Sequence, residues 1–316
     1  MRAARDVIQT INPDILIISD FDYDAELTAL TAFAELLAKA GAPYPHRFAR
    51  RPNTGWATGL DMDGDGRRGT ARDAQGFGAF AGQGGLAILS RYPFDEAGLQ
   101  DFSALLWRDA PEALLPTHAD GAPFPSKEAL AVQRLSTTAH WALPVAIERK
   151  TLTLLVSQAT PPVFDGDEDR NGKRNHDENA LWLHHIEGRF GTPPSGPFVL
   201  ALGSNLDPAD GAGHRGAMHA LLTHPKLQDP RPKSAGGRLA ATPNQLGDPA
   251  LDTADWREPT AEQFGPGNMR VDFVLPSAEI TVTDAGVFWP APEQTGHALA
   301  LAASRHRLVW VDLALP

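Results

Sequence analysis

Apolar runs broken by turn-forming residues divide the chain into alternating strands and helices. Residues 1–10 place Ala3, Val7 and Ile8, with Ile11 beyond, at the spacing of an amphipathic helix, which Asn12-Pro13-Asp14 ends. Residues 15–18 are all apolar and predict a short buried strand. It delivers Ser19, Asp20, Phe21, Asp22, Tyr23 and Asp24 to its C-terminal end. An Ala/Leu-rich helix over 25–40 follows, stopped by Gly41 and Pro43. Residues 50–85 are rich in Gly, Asp and Arg and lack periodicity; a loop that long is usually functional or disordered.

Further strands are predicted over 86–90, 142–147 and 151–157, the last from the alternation of Leu152, Leu154 and Val156 with small polar residues. Thr160-Pro161-Pro162 stops that strand, because neither proline can donate to a sheet ladder. An acidic loop leads to a helical segment from Asn175 onward. A strand over 198–202 ends on Gly203-Ser204-Asn205-Leu206-Asp207-Pro208. A helix over 214–224, a Pro/Gly-rich surface stretch to about 267, and strands over 270–275, 282–288 and 308–313 complete the pattern. The order is that of an α/β protein, with no internal repeat and no domain boundary. Open α/β sheets collect ligands at the C-terminal ends of their strands, which singles out the ends near 20, 158 and 203.

Composition narrows the class. Of 316 residues, 42% are hydrophobic and 21% charged, which supports a substantial core, and no apolar run reaches membrane-spanning length. Cysteine is absent, so disulfides and thiolate metal sites are excluded. No export signal opens the chain, so the expectation is cytoplasmic as it stands, exported if a leader has been removed. The net charge of −11 argues against strong nonspecific nucleic-acid binding, although a local basic groove is compatible with it.

Much of the acid is clustered. Asp167-x-Asp169-x-Asn171-Gly172, followed by Glu178, satisfies the twelve-position pattern of an EF-hand loop, in which alternate oxygens wrap one ion and the last Glu binds bidentately. Asp61-x-Asp63-x-Asp65-Gly66 repeats its first half, with Asp73 or a carbonyl left to close the shell. Two such loops make Ca²⁺ the expected ion. Other polar residues have plainer readings. Asp22 and Asp24 fit turn or helix-capping positions, and Asn205 fits an Asx-turn before Pro208. His176 and Asp177 flank the acidic loop, His140-Trp141 reads as core with a cleft wall, and His184 and His185 as surface.

Several phrases in order resemble the endonuclease/exonuclease/phosphatase superfamily, in a bacterial branch with calcium-type loops. They are Asn12-Pro-Asp-Ile-Leu, Gly84-Gly-Leu-Ala-Ile-Leu-Ser-Arg-Tyr-Pro, Ala159-Thr-Pro-Pro-Val-Phe-Asp-Gly, Asp169-Arg-Asn-Gly, Asn175-His-Asp-Glu, Asn205-Leu-Asp-Pro, Arg270-Val-Asp-Phe and Ser304-Arg-His-Arg. The resemblance implies a single-domain, four-layer α/β sandwich of two packed mixed sheets flanked by helices. It implies hydrolysis of phosphodiesters or phosphomonoesters with Mg²⁺ or Mn²⁺, on a small phosphate ester or nucleic acid. By the same resemblance His306 falls on the catalytic His and Asp272 on the Asp that orients it. Asn205 falls on the Asn of Gly-Asp-x-Asn, Asp20 on the metal-binding Glu, and Gln158 on a phosphate-binding His. Asp207 is the carboxylate nearest to Gly203, which stands where the motif has Asp, and His140 joins Gln158 as a substrate-side candidate. Arg305 replaces the Asp of the terminal Ser-Asp-His, and the family's first strand would precede Met1. Two readings follow: a metal-dependent phosphoesterase impaired at 158 and 203, or a non-catalytic, calcium-binding relative that holds a ligand or partner.

Overall fold

The computed structural model describes residues 1–256 and 266–316. Helix α1 (Arg2–Ile11) leads into strand β1 (Ile15–Phe21), helix α2 (Thr28–Lys39), β2 (His46–Phe48) and β3 (Gly85–Ser90). Next come β4 (Gln100–Asp101), α3 (Lys127–Val132), β5 (His140–Ile147), β6 (Lys150–Gln158), α4 (Arg170–Ile186) and β7 (Phe198–Gly203). They are followed by α5 (Gly216–Leu222), α6 (Ala235–Leu239), β8 (Ala254–Asp255), β9 (Asn268–Met269), β10 (Asp272–Pro276), β11 (Thr281–Val287), α7 (His297–Ala303) and β12 (Val309–Ala314). Asp24 accepts from Thr28 N at 2.7 Å and Ala29 N at 3.0 Å, so it caps α2 as expected.

One sheet has the order β1-β3-β2 and a second the order β10-β7-β6-β5-β4; β6 and β7 run parallel and the other neighbours antiparallel. The period-two alternation of side chains gives each sheet two buried faces. Leu86 and Ile88 of β3 meet Trp141, Leu143, Leu152, Leu154 and Val156 of the second sheet, which makes the core between the sheets. Ala87 and Leu89 point the other way, onto Leu30, Phe33 and Leu37 of α2 and Ile8 of α1. Leu155, Leu200 and Leu202 turn outward onto Trp182 and Ile186 of α4 and Met218 and Leu221 of α5. Helices, sheet, sheet, helices: this is the four-layer mixed α/β fold that the sequence predicts.

Three expectations need correction. The helix placed from Asn175 begins at Arg170, five residues earlier. His184 and His185, expected at the surface, are 4% and 0% exposed, because α4 buries both flanks against the sheet and the segment around Trp107. Of the surface stretch expected up to about 267, residues 257–265 lie outside the described residues, and the part before them is not all at the surface: Asp252, Thr253 and Ala254 are buried and β8 pairs with β9.

Helix α4 is held by polar side chains that it buries. Glu178 is fully buried; its Oε1 accepts from Thr137 N at 2.5 Å and its Oε2 from Thr160 N at 2.7 Å. Burial pushes its carboxyl up to about 7, against the pull of the nearby Arg174 guanidinium and those donors. Arg174 donates to the carbonyls of Leu135 (2.8 Å), Gln75 (2.7 Å) and Arg134 (2.9 Å), and Asn175 to those of Thr160 (2.6 Å) and Ser204 (2.7 Å). Glu178→Ala leaves two buried N–H groups without acceptors and is expected to destabilise the fold by about 3 kcal/mol. An unchanged urea midpoint for that variant would count against this role.

Candidate functional site

The strand ends of both sheets converge at one edge. There β1 carries a β-bulge: Ile18 pairs with Ala87 and Phe21 with Gly85, which leaves one extra residue in β1. Asp20 sits in that bulge with φ 56°, and its side chain is exposed. Bulges re-aim side chains at sheet edges, and this one explains how Asp20 leaves the ladder. Its carboxylate lies over Gly84, where an added Cβ would stand 2.7 Å from Oδ1 and would need the left-handed backbone at φ 57°, which favours glycine.

On the second sheet, Gly203 is paired in register with Gln158 on one side and Asp272 on the other. A Cβ at Gly203 would lie 3.3 Å from Gln158 Cγ and 3.8 Å from Asp272 Oδ1. The position therefore faces the site and supplies no donor of its own. Gln158 Oε1 is buried without a hydrogen-bond partner.

His306 Nδ1 lies 2.8 Å from Asp272 Oδ2 and 3.1 Å from Oδ1. Thr253 Oγ1 donates to Asp272 Oδ2 at 2.8 Å and accepts from the backbone N–H of Val271 and Asp272 at 3.0 Å each. An imidazole whose Nδ1–H faces a carboxylate presents Nε2 as its proton acceptor, the arrangement that acid/base chemistry requires. The Asp272 charge raises the His306 pKa above the ordinary imidazole value, with Asp20 adding in the same direction and burial opposing. The backbone holds the histidine through an antiparallel bridge between Ala254 and His306 and a bond from Arg307 N to Thr253 O at 2.6 Å. The Trp256 ring packs edge-on against the imidazole, with centroids 5.3 Å apart. Thr253 and Trp256 escape sequence reading, because the segment that holds them has neither periodicity nor a motif.

Asp20, Gln158, Gly203, Asp272 and His306 thus come together. Asn205 sits at the same strand end in the left-handed region (φ 50°), with its Nδ2 donating to Ala159 O at 2.6 Å. Asp207 is not a free carboxylate beside Gly203. It is 3% exposed, and its oxygens accept from Ala209 N (2.7 Å), Asp210 N (3.0 Å) and Arg270 N (2.7 Å), so it holds the turn. His140 is fully buried between Ser136 Oγ at 2.6 Å and Glu178 O at 2.9 Å, and burial lowers its pKa to about 4. It belongs to the core and cannot reach a substrate.

The EF-hand-like pattern at 167–178 does not form a loop around an ion. Helix α4 begins at Arg170, Glu178 faces the core two helical turns later, Asp169 Oδ2 pairs with His214 Nε2 at 2.6 Å, and Asn171 Nδ2 donates to Val163 O at 2.7 Å. Asp167 is therefore left without the ring of partners that the pattern assigned to it. Asp177 likewise serves the structure, accepting from Trp107 Nε1 at 2.7 Å and Leu114 N at 2.6 Å.

The half-pattern at 61–65 does converge: Asp61, Asp63 and Asp65 each offer an oxygen within 4.8 Å of the others. Gly64 and Gly66, both at positive φ, let their N–H groups turn onto Asp61 at 2.7 and 2.9 Å. Asp73 stands behind this loop and does not close it, accepting from Met62 N at 2.9 Å and from Thr70 N and Oγ1 at 2.8 and 2.9 Å. Burial raises the Asp63 pKa, and the Asp65 and Asp73 charges add to that. Hard cations relieve such a cluster.

A family model described as Endonuclease/Exonuclease/phosphatase family matches residues 1–306. The fold is similar to that of an endonuclease/exonuclease/phosphatase from Beutenbergia cavernae DSM 12333 (TM-score 0.54, 16% identity), covering 98% of this chain and 65% of that one. The chain thus spans just under two thirds of that protein's length. It is also similar to a family protein from Leptotrichia buccalis C-1013-b (TM-score 0.53, 14% identity), covering 99% of this chain and 91% of that one. At these identities the likeness is one of fold. No curated protein matches the chain.

The raised His306 pKa sets a pH signature. The His306–Asp272 contribution to stability is full below the unfolded imidazole pKa of about 6.5 and is lost as pH rises through the higher folded value. NMR titration of the imidazole should show Asp272→Asn moving its pKa downward. An imidazole that titrates identically in both proteins would mean that Asp272 does not govern it.

Proposed function

The chain belongs to the endonuclease/exonuclease/phosphatase family, and from that premise we propose that it is a divalent-metal-dependent phosphoester hydrolase centred on His306, with turnover limited at positions 158 and 203. Family members are metal-dependent phosphoesterases that act on nucleic acid or phosphate esters. The observation that carries the reading is the hydrogen-bonded series Thr253–Asp272–His306 at the strand edge beside Asp20. Asp272 fixes the imidazole tautomer, and His306 Nε2 takes or returns the proton of the attacking or leaving oxygen.

The donors present fit a weakly held ion. Asp20 is an exposed carboxylate at this edge, and among the described residues the buried Gln158 Oε1 lacks a hydrogen-bond partner. Mg²⁺ is commonly held by one or two carboxylates and keeps several waters, so Asp20 with Gln158 and Asn205 nearby would hold it or Mn²⁺ loosely. Bound there, the ion would neutralise charge on a phosphoryl oxygen. Ca²⁺ is assigned to Asp61, Asp63 and Asp65 on the loop between β2 and β3.

A second reading has its own support. Gly203 offers neither carboxylate nor hydroxyl where its Cβ would face Gln158 and Asp272, so a non-catalytic relative that binds a phosphate-bearing ligand would show this same site.

Hydrolysis of a generic phosphodiester and a phosphomonoester with Mg²⁺, Mn²⁺ or Ca²⁺ separates the two. The hydrolase reading expects metal-dependent turnover that falls roughly 10²–10⁴-fold in His306→Ala. Gly203→Asp with Gln158→His should raise it: the nearest atom to the new Cβ, Gln158 Cγ at 3.3 Å, belongs to the side chain that the variant also replaces, and Asp272 Oδ1 stands at an ordinary 3.8 Å. Turnover seen only in the double variant would favour the non-catalytic reading. For the acidic loop, calorimetric titration with Ca²⁺ should show binding to the natural protein that Asp63→Ala loses, while an unchanged isotherm would remove the assignment.

A further inference from the structure

The loop between β2 and β3 carries charge and aromatic surface that the His306 site does not use. The Arg51 guanidinium lies 3.8 Å from the centre of the Trp56 ring, and that of Arg134 lies 4.3 Å from the same centre. Arg134 is fixed further by donating to Asn53 Oδ1 at 2.8 Å, while the buried Asn53 donates to the carbonyls of Ser103 and Ser136 at 2.7 and 2.8 Å. Arg50, next in the chain, stands 3.9 Å from Glu96 and from Asp101, yet among the described residues no carboxylate pairs with Arg51 or Arg134. Burial and the neighbouring Arg51 charge lower the Arg134 pKa, with the Asp101 carboxylate opposing them. Guanidinium groups stacked on an aromatic ring are pre-organised, and their planar forks match phosphate oxygens.

Two exposed aromatic rings share this surface. Phe77 is 68% exposed and Phe80 52% exposed. Their turn is stitched down: Gly76 N donates to Asn53 O at 3.1 Å, Gly55 N to Gly76 O at 2.9 Å, and Gly82 N to Thr54 O at 3.2 Å. Gly78 packs so closely that an added Cβ would come 2.6 Å from Gly55 N. The backbone beneath Phe77 is therefore fixed directly beside that of Trp56, and the ring is held in water by design of the turn.

This surface adjoins the reacting centre. Pro52, next to Arg51, would lie 3.2 Å from a Cβ at Gly85, and the neighbouring Gly84 lies under the Asp20 carboxylate. Asp20 in turn bears electrostatically on His306. Asp20 therefore stands between the Arg51–Trp56–Arg134 cluster and the imidazole.

Resting on the phosphoester reading above, we propose that this loop holds a single strand of nucleic acid leading to His306, with Arg51 and Arg134 on backbone phosphates and Phe77 stacking a base. Every unpaired base offers a π-face to an exposed ring, whereas a duplex hides those faces and leaves Phe77 and Phe80 nothing to stack on. The net charge of −11 repels a polyanion elsewhere, so attraction is confined to the patch.

The test is fluorescence anisotropy of a labelled short oligothymidylate against salt concentration, without added divalent metal. Arg51→Ala should weaken binding and reduce the salt-dependence slope by about 0.7, while Arg51→Lys keeps the slope. Phe77→Ala should weaken binding roughly tenfold and leave the slope alone. Both residues are exposed, so an unchanged urea midpoint in both variants shows that a loss of binding is not a loss of fold. The proposal is overturned by absent binding, by binding indifferent to both substitutions, or by thymidine monophosphate competing as well as the strand. Strand binding that depends on Arg51 and Phe77, in a protein that hydrolyses no diester, would sink the hydrolase reading and leave this one standing.

Discussion

Glu178 accepts backbone N–H bonds from Thr137, just before β5, and from Thr160, just after β6. Asn175, one turn earlier, bonds the carbonyls of Thr160 and Ser204, and Arg174 gathers those of Gln75, Arg134 and Leu135. One helix therefore satisfies the loose backbone where several chain segments leave the sheet. Buried N–H and C=O groups without partners cost more than most surface contacts return. Without α4 the ends of β5, β6 and β7 would have no reason to hold one geometry, and Gln158, Gly203 and Asn205 hang from those ends, with Asp272 on the strand beside β7.

This constraint also explains why the site is partly legible in sequence. Strand interiors carry a periodicity, so the strands and helices follow from the apolar pattern, their arrangement in two packed sheets from the family resemblance, and residues 20, 158 and 203 fall at strand ends. What gathers there depends on register and on aperiodic backbone. The bulge at Asp20 leaves no mark in the alternation of residues 15–18. Thr253 reaches Asp272 through the pairing of its segment with β9, and His306 joins them because the Ser304–Arg307 segment lies beside β8, a pairing between residues some fifty positions apart. No local pattern encodes such a pairing.

The acidic loops show the opposite failure, a motif stronger than its context. Oxygen side chains at alternate positions describe a ligand ring only if the backbone stays out of helix until the ring is closed. At Asp61–Asp65 glycines at positive φ allow that, and three carboxylates converge. At Asp167–Glu178 the helix starts three residues in and rotates Glu178 toward the core, where its acceptors serve strand ends. The same Glu that a motif assigns to an ion is the residue on which the fold depends. His140 and Asp207 differ from expectation for a related reason: polar residues near a site are often there to position backbone, and burial, invisible in the sequence, decides between the roles.

Charge distribution supplies the last link. The whole molecule is acidic, yet Arg51 and Arg134 place two guanidinium groups on one indole at the site's edge. An overall negative field weakens attraction for any polyanion at long range and, at physiological salt, is screened within about 8 Å. Within that distance the local cations dominate. On the proposed reading, a ligand that reaches Trp56 and His306 together would be selected by geometry at the strand edge and not by net charge.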